Sequence, residues 1–395
     1  MGGARSGFQI GRLFGIGIFV DWSWLFIFAL VTWSLGADFL FLHPSWGWGV
    51  TWGLAVAGAL LFFASVLLHE LAHSLVAQAR GLPVRDITLF IFGGVSNIQQ
   101  EPPTPQIEFL MAVVGPLTSL ALGALLTWAG GALSAGAAES VIGSPPALLA
   151  RLSPLATLLL YLGPANILLG LFNLIPGFPL DGGRVLRAAL WAATHDLRRA
   201  TRWAAVVGQA IGWAFIAAGL ATFFGLRIPF VGGFVGGLWL AFIGWFLQSA
   251  AAQSYQQVVV QDLLRGVPVA RLMRRGGPMV PPTEAVSTLV HEHIMGTDER
   301  AFPVVRGDTL VGLVCLDDVR KVPRQEWDTT PVGAIMTPAD RLTTVAPSEE
   351  TSVALRVLAG RDVDQVPVVQ DGHLVGLLRR RDVLRWLQLQ AGQAA

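Results

Sequence analysis

Residues 51–68 run for 18 positions without a charged side chain, and His69-Glu70-Leu71-Ala72-His73 follows with no turn residue between. Carried on to about Gln78, the stretch is long enough for a helix to cross a bilayer, which takes about 20 apolar residues. The constraint recurs: residues 21–35, 107–133, 155–174, 203–224 and 230–251 are apolar in the same way and read as five further spans. Composition agrees. Charged residues make up 13% of the 395-residue chain and hydrophobic ones 53%, against about 25% charge in a soluble domain. The expected fold is a polytopic α-helical membrane protein of about six spans, with the 14 Trp residues suited to interfacial anchoring. A net charge of +1 gives no field for a nucleic-acid partner. The one cysteine, Cys315, excludes an intrachain disulfide.

The motif at the end of the second span carries chemistry. On a helix His69 and His73 are four apart and share a face, so both imidazoles can reach one metal ion. Glu70 lies beside them, where it can take a proton from an attacking water. Such a short pattern also arises by chance, but a charged side chain at the centre of a membrane helix costs roughly 2.5–3.5 kcal/mol. Three ionisable groups within one and a half turns need a use. Catalytic zinc takes three protein ligands and keeps one open position. Asp181 is the best third ligand: it follows Pro176 and Pro179, which cannot continue a regular helix, so the backbone unwinds there and can turn the carboxylate inward. Glu108, at the start of the third span, is the competitor and reads better as an interfacial charge. Asp21 reads as an interface residue. His43, His195, His291, His293 and His373 fall in loops or the polar C-terminal part and read as solvated. Asn173, eight residues before Asp181, can hydrogen-bond a substrate carbonyl; an interhelical bond or a helix cap is the other reading.

Between the spans, residues 8–19 alternate apolar residues with glycine and read as an extended or interfacial segment. Residues 86–98 are β-prone and broken by Gly93-Gly94, which predicts a short membrane-associated β-hairpin. Its strand edge can hold an unwound substrate segment, or it can simply cover the site. Gly115-Pro116-Leu117-Thr118-Ser119 in the third span supplies small residues for close helix approach. Six spans place both termini on one side. That side holds Arg5, Arg12, Arg80, Arg85, Arg184, Arg187, Arg198, Arg199 and Arg202, and the other only Arg151 and Arg227 in its loops. Excess arginine marks the cytoplasmic side, so the His-Glu motif, the hairpin, Asp181 and everything after the last span are expected to face the cytosol.

From Gln253 the chain turns polar and repeats itself. Phe302-Pro303-Val304-Val305, followed by Leu310-Val311-Gly312-Leu313, recurs as Val366-Pro367-Val368-Val369 followed by Leu374-Val375-Gly376-Leu377, and Leu272-Met273 recurs as Ile335-Met336. Each unit mixes short alternating strands with helices, which predicts a soluble α/β tandem module.

These residues resemble the site-2 protease family of intramembrane zinc metalloproteases. The likeness rests on His69-Glu70-Leu71-Ala72-His73 and on Asn173 to Gly182, with the Gly93-Gly94 hairpin and Gly115-Pro116 beside them. It implies cleavage of membrane-embedded or membrane-tethered substrates such as anti-sigma or pro-sigma factors, with zinc on His69, His73 and Asp181 and with Glu70 as the base. The repeat resembles a pair of cystathionine-beta-synthase (CBS) domains, which implies ATP or another adenine nucleotide in the cleft between the repeats, or a structural pair that forms a homodimer. Asp318 and Asp382 stand where that family holds ribose hydroxyls. The Ser or Thr usual just before this Asp is missing, with Leu316-Asp317 and Arg380-Arg381 in its place. The expected domains are residues 1–255, the membrane protease, then 266–327 and 330–392, the two repeats. Two other classes compete: a non-catalytic membrane sensor or transporter regulated by CBS domains, and a scaffold with purely structural zinc.

Overall fold

The computed structural model describes residues 7–138, 151–226, 228, 233–295, 297, 299–360 and 363–391. Arg5 and Arg227 of the charge argument lie outside these residues. The chain divides into two units near residue 258.

In the first unit six helices are long and apolar enough to cross a membrane: α1 (Trp22–Leu42), α2 (Trp48–Ala79), α3 (Pro105–Ala138), α4 (Pro154–Asn173), α6 (Leu197–Phe223) and α7 (Gly233–Leu264). A shorter helix, α5 (Asp181–Thr194), separates α4 from α6. The sequence did not announce α5, because two prolines precede it and Gly182-Gly183 opens it. Those glycines are needed for the turn: a Cβ on either would stand 2.3 Å from backbone atoms of Leu174 or Phe178. The chain doubles back there, through a cis Phe178–Pro179 bond, and α5 starts against its own approach.

Residues 8–19, read as extended, form a hairpin of β1 (Gly7–Leu13) and β2 (Ile16–Asp21) around Phe14 and Gly15, both at positive φ. The hairpin expected at 86–98 is β3 (Val84–Phe90) and β4 (Gly93–Ile98). β2 pairs with β3 in parallel, so the sheet runs β1-β2-β3-β4. Alternate residues Ile16 and Ile18 of β2 and Ile87 of β3 bury against Leu71 of α2, and Val20 and Leu89 against Val66, the side-chain period of two that a one-sided sheet requires. The sheet therefore lies along the part of α2 that carries the His-Glu motif.

The far end of α2 is built locally. Its C-terminus closes in a Schellman motif: Gly81, at φ 78, donates to Gln78 O at 2.9 Å and Leu82 donates to Ala77 O at 3.0 Å. Leu82 and Ala77 then bury together with Met111 of α3. Asp21 is not a free interface charge; it caps α1 by accepting from Ser23 N at 2.9 Å.

Two further expectations are corrected here. Glu108 is fully buried and accepts from Arg187 Nε at 2.6 Å, while Arg187 also reaches Glu101 at 3.2 Å. Neither is an interfacial or loop charge, because each neutralises the other inside the protein. His43 is buried too, stacked on Trp46 with ring centroids 3.7 Å apart and 3.1 Å from Thr157 Oγ1.

The second unit holds a sheet of β5 (Ala301–Arg306), β6 (Thr309–Cys315), β8 (Gln365–Gln370) and β9 (His373–Arg379), with the two-residue β7 (Thr337–Pro338) beside β6. Helices α8 (Thr351–Gly360) and α9 (Arg380–Ala391) pack on β8 and β9, and shorter helical turns lie between residues 269 and 341. The repeat is structural as well as sequential: β5 pairs β6 with Pro303 opposite Leu313, and β8 pairs β9 with Pro367 opposite Leu377, each hairpin with the same register shift one residue further on. Each repeat has a core, but the cores exchange their lead-in turns. Val269, at the start of the first repeat, buries with Val366, Val368 and Leu378 of the second. Val332, at the start of the second, buries with Phe302, Val304 and Val314 of the first.

Candidate metal centre

His69 and His73 project from one face of α2, and both are buried. Asp181 is the first residue of α5. His69 Nε2 lies 3.0 Å and His73 Nε2 3.1 Å from Asp181 Oδ2, and the two imidazole nitrogens are 3.2 Å apart. Ligands at about 2.0–2.1 Å from a tetrahedral ion stand roughly 3.3 Å from one another, so the triangle has the right size for one. Among the described residues no other group of three such side chains comes together.

The outer nitrogens support the same use. His73 Nδ1 lies 2.5 Å from Met111 O. A carbonyl can only accept, so Nδ1 carries the proton and Nε2 keeps its lone pair for a metal. His69 Nδ1 lies 2.9 Å from Ser119 Oγ. Met111, Gly115 and Ser119 are spaced by four on α3 and share the face that meets α2. Gly115 sits nearest the triangle: a Cβ there would stand 2.2 Å from His73 Nε2 and 2.7 Å from His69 Nε2. The spacing of Gly115 and Ser119 was the visible signal, and it read only as helix packing. In the structure this face of α3 serves the two histidines.

Glu70 points towards the hairpin, where Ser96 Oγ of β4 lies 2.8 Å from its Oε2. The arrangement can bind a divalent cation on three ligands and leave a carboxylate beside it.

The comparisons bear on what it does. Peptidase family M50 matches residues 57–215, which span the two histidines and Asp181. Rip3 of Mycobacterium tuberculosis, named as a zinc metalloprotease, is 37% identical over 387 residues, 98% of this chain and 94% of that protein. The chain belongs to peptidase family M50. The protein sll0528 of Synechocystis, also named as a zinc metalloprotease, is 33% identical and covers 98% of this chain and 97% of its own. A solved structure, the site-2 protease of Methanocaldococcus jannaschii, is 26% identical over 63% of this chain and 95% of that one, with a TM-score of 0.40. The CBS domain matches residues 332–389. This M50 member is thus a multi-pass zinc metalloprotease with a CBS module, and the non-catalytic sensor or transporter falls away.

The remaining candidates are placed less openly. Asn173 ends α4 and donates through Nδ2 to Leu169 O at 3.0 Å, the local bond that an amide makes four residues back along a helix. Asp318 accepts from Cys315 N at 3.0 Å and from Lys321 Nζ at 2.8 Å. Asp382 takes both of its hydrogen bonds from Arg379, at 2.5 and 2.8 Å, and this partner raises the Arg379 pKa further. Buried Glu299 accepts from Arg274, Arg379 and Arg381 at 2.5, 2.5 and 3.3 Å. Arg274, Glu299 and Arg379 line a cleft with Met279, Pro303 and Gly376. Sequence reasoning passed over Glu299, whose partners lie in distant segments.

Proposed function

We propose that His69, His73 and Asp181 hold one zinc ion and that Glu70 is the general base in cleavage of membrane-embedded or membrane-tethered protein substrates. The convergence of the three donor atoms on the glycine face of α3 carries this reading. Zinc bound there would polarise the scissile carbonyl and make water a nucleophile near neutral pH. Glu70 takes the proton of the attacking water and returns it to the leaving nitrogen. Asn173 keeps a second N–H beyond its bond to Leu169, and that group donates to the substrate carbonyl oxygen. The substrate lies extended along the free edge of β4, which ends the sheet. Strand addition supplies main-chain hydrogen bonds that an unwound helix would otherwise lose.

The domains in this reading are residues 1–255, 266–327 and 330–392. The arginine bias supports a cytoplasmic side for both termini and the CBS pair. The pair modulates the protease, by homodimer contact or by ATP or another adenine nucleotide. Nucleotide would use Asp382 or Asp318 for ribose and the Arg274, Arg379 and Arg381 cluster for phosphate, so Arg379 must first release Asp382. Anti-sigma or pro-sigma factors are substrates of the fitting kind.

The test is Glu70→Gln in the full chain, with zinc measured by mass spectrometry and cleavage read on a tethered reporter. Zinc should stay at one per chain while cleavage falls by about 10²–10⁴-fold. Cleavage at the wild-type rate would remove Glu70 from the mechanism.

A further inference from the structure

The base is not held by α2 alone. Gly94 and Ser96 are alternate residues of β4 and face the same way, towards Glu70, while Val95 and Asn97 point out. A Cβ on Gly94 would stand 2.5 Å from Glu70 Cγ, so the strand lies directly on the side chain. Two residues on, Ser96 Oγ meets Oε2 at 2.8 Å. The same hydroxyl is 3.2 Å from Glu70 O and 3.2 Å from Ser74 Oγ. A serine has one proton to donate, and the shorter contact to a carboxylate takes it. Ser74, one turn after Glu70 on α2, then donates to Ser96 and fixes the hydroxyl's direction. One strand residue is thus clamped between two residues of the helix that carries the base.

We infer that Ser96 is a positioning residue for Glu70, through which the strand that receives substrate sets the orientation of the base. This rests on the proposed roles of Glu70 and of the β4 edge. The geometry is what gives the coupling. β4 has a strand on one side only, β3, so its other edge can take an added segment. One face of the same strand, at Gly94 and Ser96, meets the Glu70 side chain. The contact is formed with β4 paired to β3 alone, so the strand that receives substrate also holds the base. The hydrogen bond also leaves one carboxylate oxygen, Oε1, for the proton of the attacking water.

The test uses the full chain in proteoliposomes with a tethered reporter. Ser96→Ala, Ser96→Thr and Glu70→Gln are compared by zinc content, thermal unfolding, kcat and KM. Ser96→Ala should keep one zinc and an unchanged unfolding midpoint, with kcat lower by about 10–100-fold, the weight of one hydrogen bond to a charged group, and KM little changed. Ser96→Thr restores the hydroxyl and should recover most of kcat. Unchanged kcat in Ser96→Ala would overturn the inference, and so would a loss of zinc or of thermal stability that accounts for the lost activity. Failure of threonine to rescue would overturn it as well. If Glu70→Gln is inactive while Ser96→Ala is normal, only the positioning role falls. If Glu70→Gln cleaves normally, the base assignment falls and takes this inference with it.

Discussion

Gly115→Ala is the sharpest perturbation the structure offers. The added methyl would stand 2.2 Å from His73 Nε2, 2.5 Å from His73 Cε1 and 2.7 Å from His69 Nε2. Unbonded carbon contacts settle at about 3.5–4.0 Å, so the imidazoles or α3 must retreat by roughly 1 Å. A zinc–nitrogen bond is only about 2.0–2.1 Å long, and a shift of that size takes at least one nitrogen out of range. Helix propensity runs the other way, since alanine favours a helix over glycine by about 1 kcal/mol. The helix should therefore form and insert normally while the metal centre is lost. The expected result is a folded protein with well under one zinc per chain and cleavage reduced by about 10²-fold or more. Zinc by mass spectrometry, circular dichroism and reporter cleavage in proteoliposomes read the three quantities separately. Full zinc occupancy with normal cleavage would show that the histidines do not depend on that face of α3.

The remaining expectations concern other groups. Asp181→Ala should lower zinc per chain without unfolding α5, and an unchanged stoichiometry would move the third ligand elsewhere. Arg187→Met leaves Glu108 buried without its main partner and should cost about 3–5 kcal/mol, whereas replacing both residues by methionine should cost far less; the unfolding midpoint in detergent measures both. Burial, with help from Asp318 and Asp317, pushes the Cys315 thiol up to about 11. A raised thiol pKa means less thiolate at a given pH, so alkylation near pH 8 should run on the order of a hundredfold slower than for a free cysteine. It should accelerate through the alkaline range, and a fast rate at neutral pH would refute the burial.

Six spans, the β3–β4 hairpin and the α/β tandem module were legible because each has a local pattern. Long uncharged runs, a Gly-Gly break between β-prone segments and a duplicated Pro-Val-Val stretch need no knowledge of the rest of the chain. His69, His73 and Asp181 were legible as a group because two separated motifs named them. What escaped depends on contacts between distant positions. The pairing of β2 with β3 joins segments on either side of two helices, and β1–β2 turns through Phe14 at φ 51, a conformation seldom taken by an aromatic residue. Glu108 looked interfacial because Arg187, its partner, lies 79 positions away. Ser96, Ser119 and the Met111 carbonyl are ordinary residues whose importance comes only from what faces them. Asn173 could be named from its motif, but its bond to Leu169 could not.

The exchange of lead-in turns between the two CBS repeats should make them unfold as one cooperative body. A chain cut in the linker near residue 330 would leave each half lacking the apolar plug that its own core needs. The two fragments should be unstable apart and should reassociate when mixed. Strain placed on either half should register in the other, because neither has a complete interior of its own.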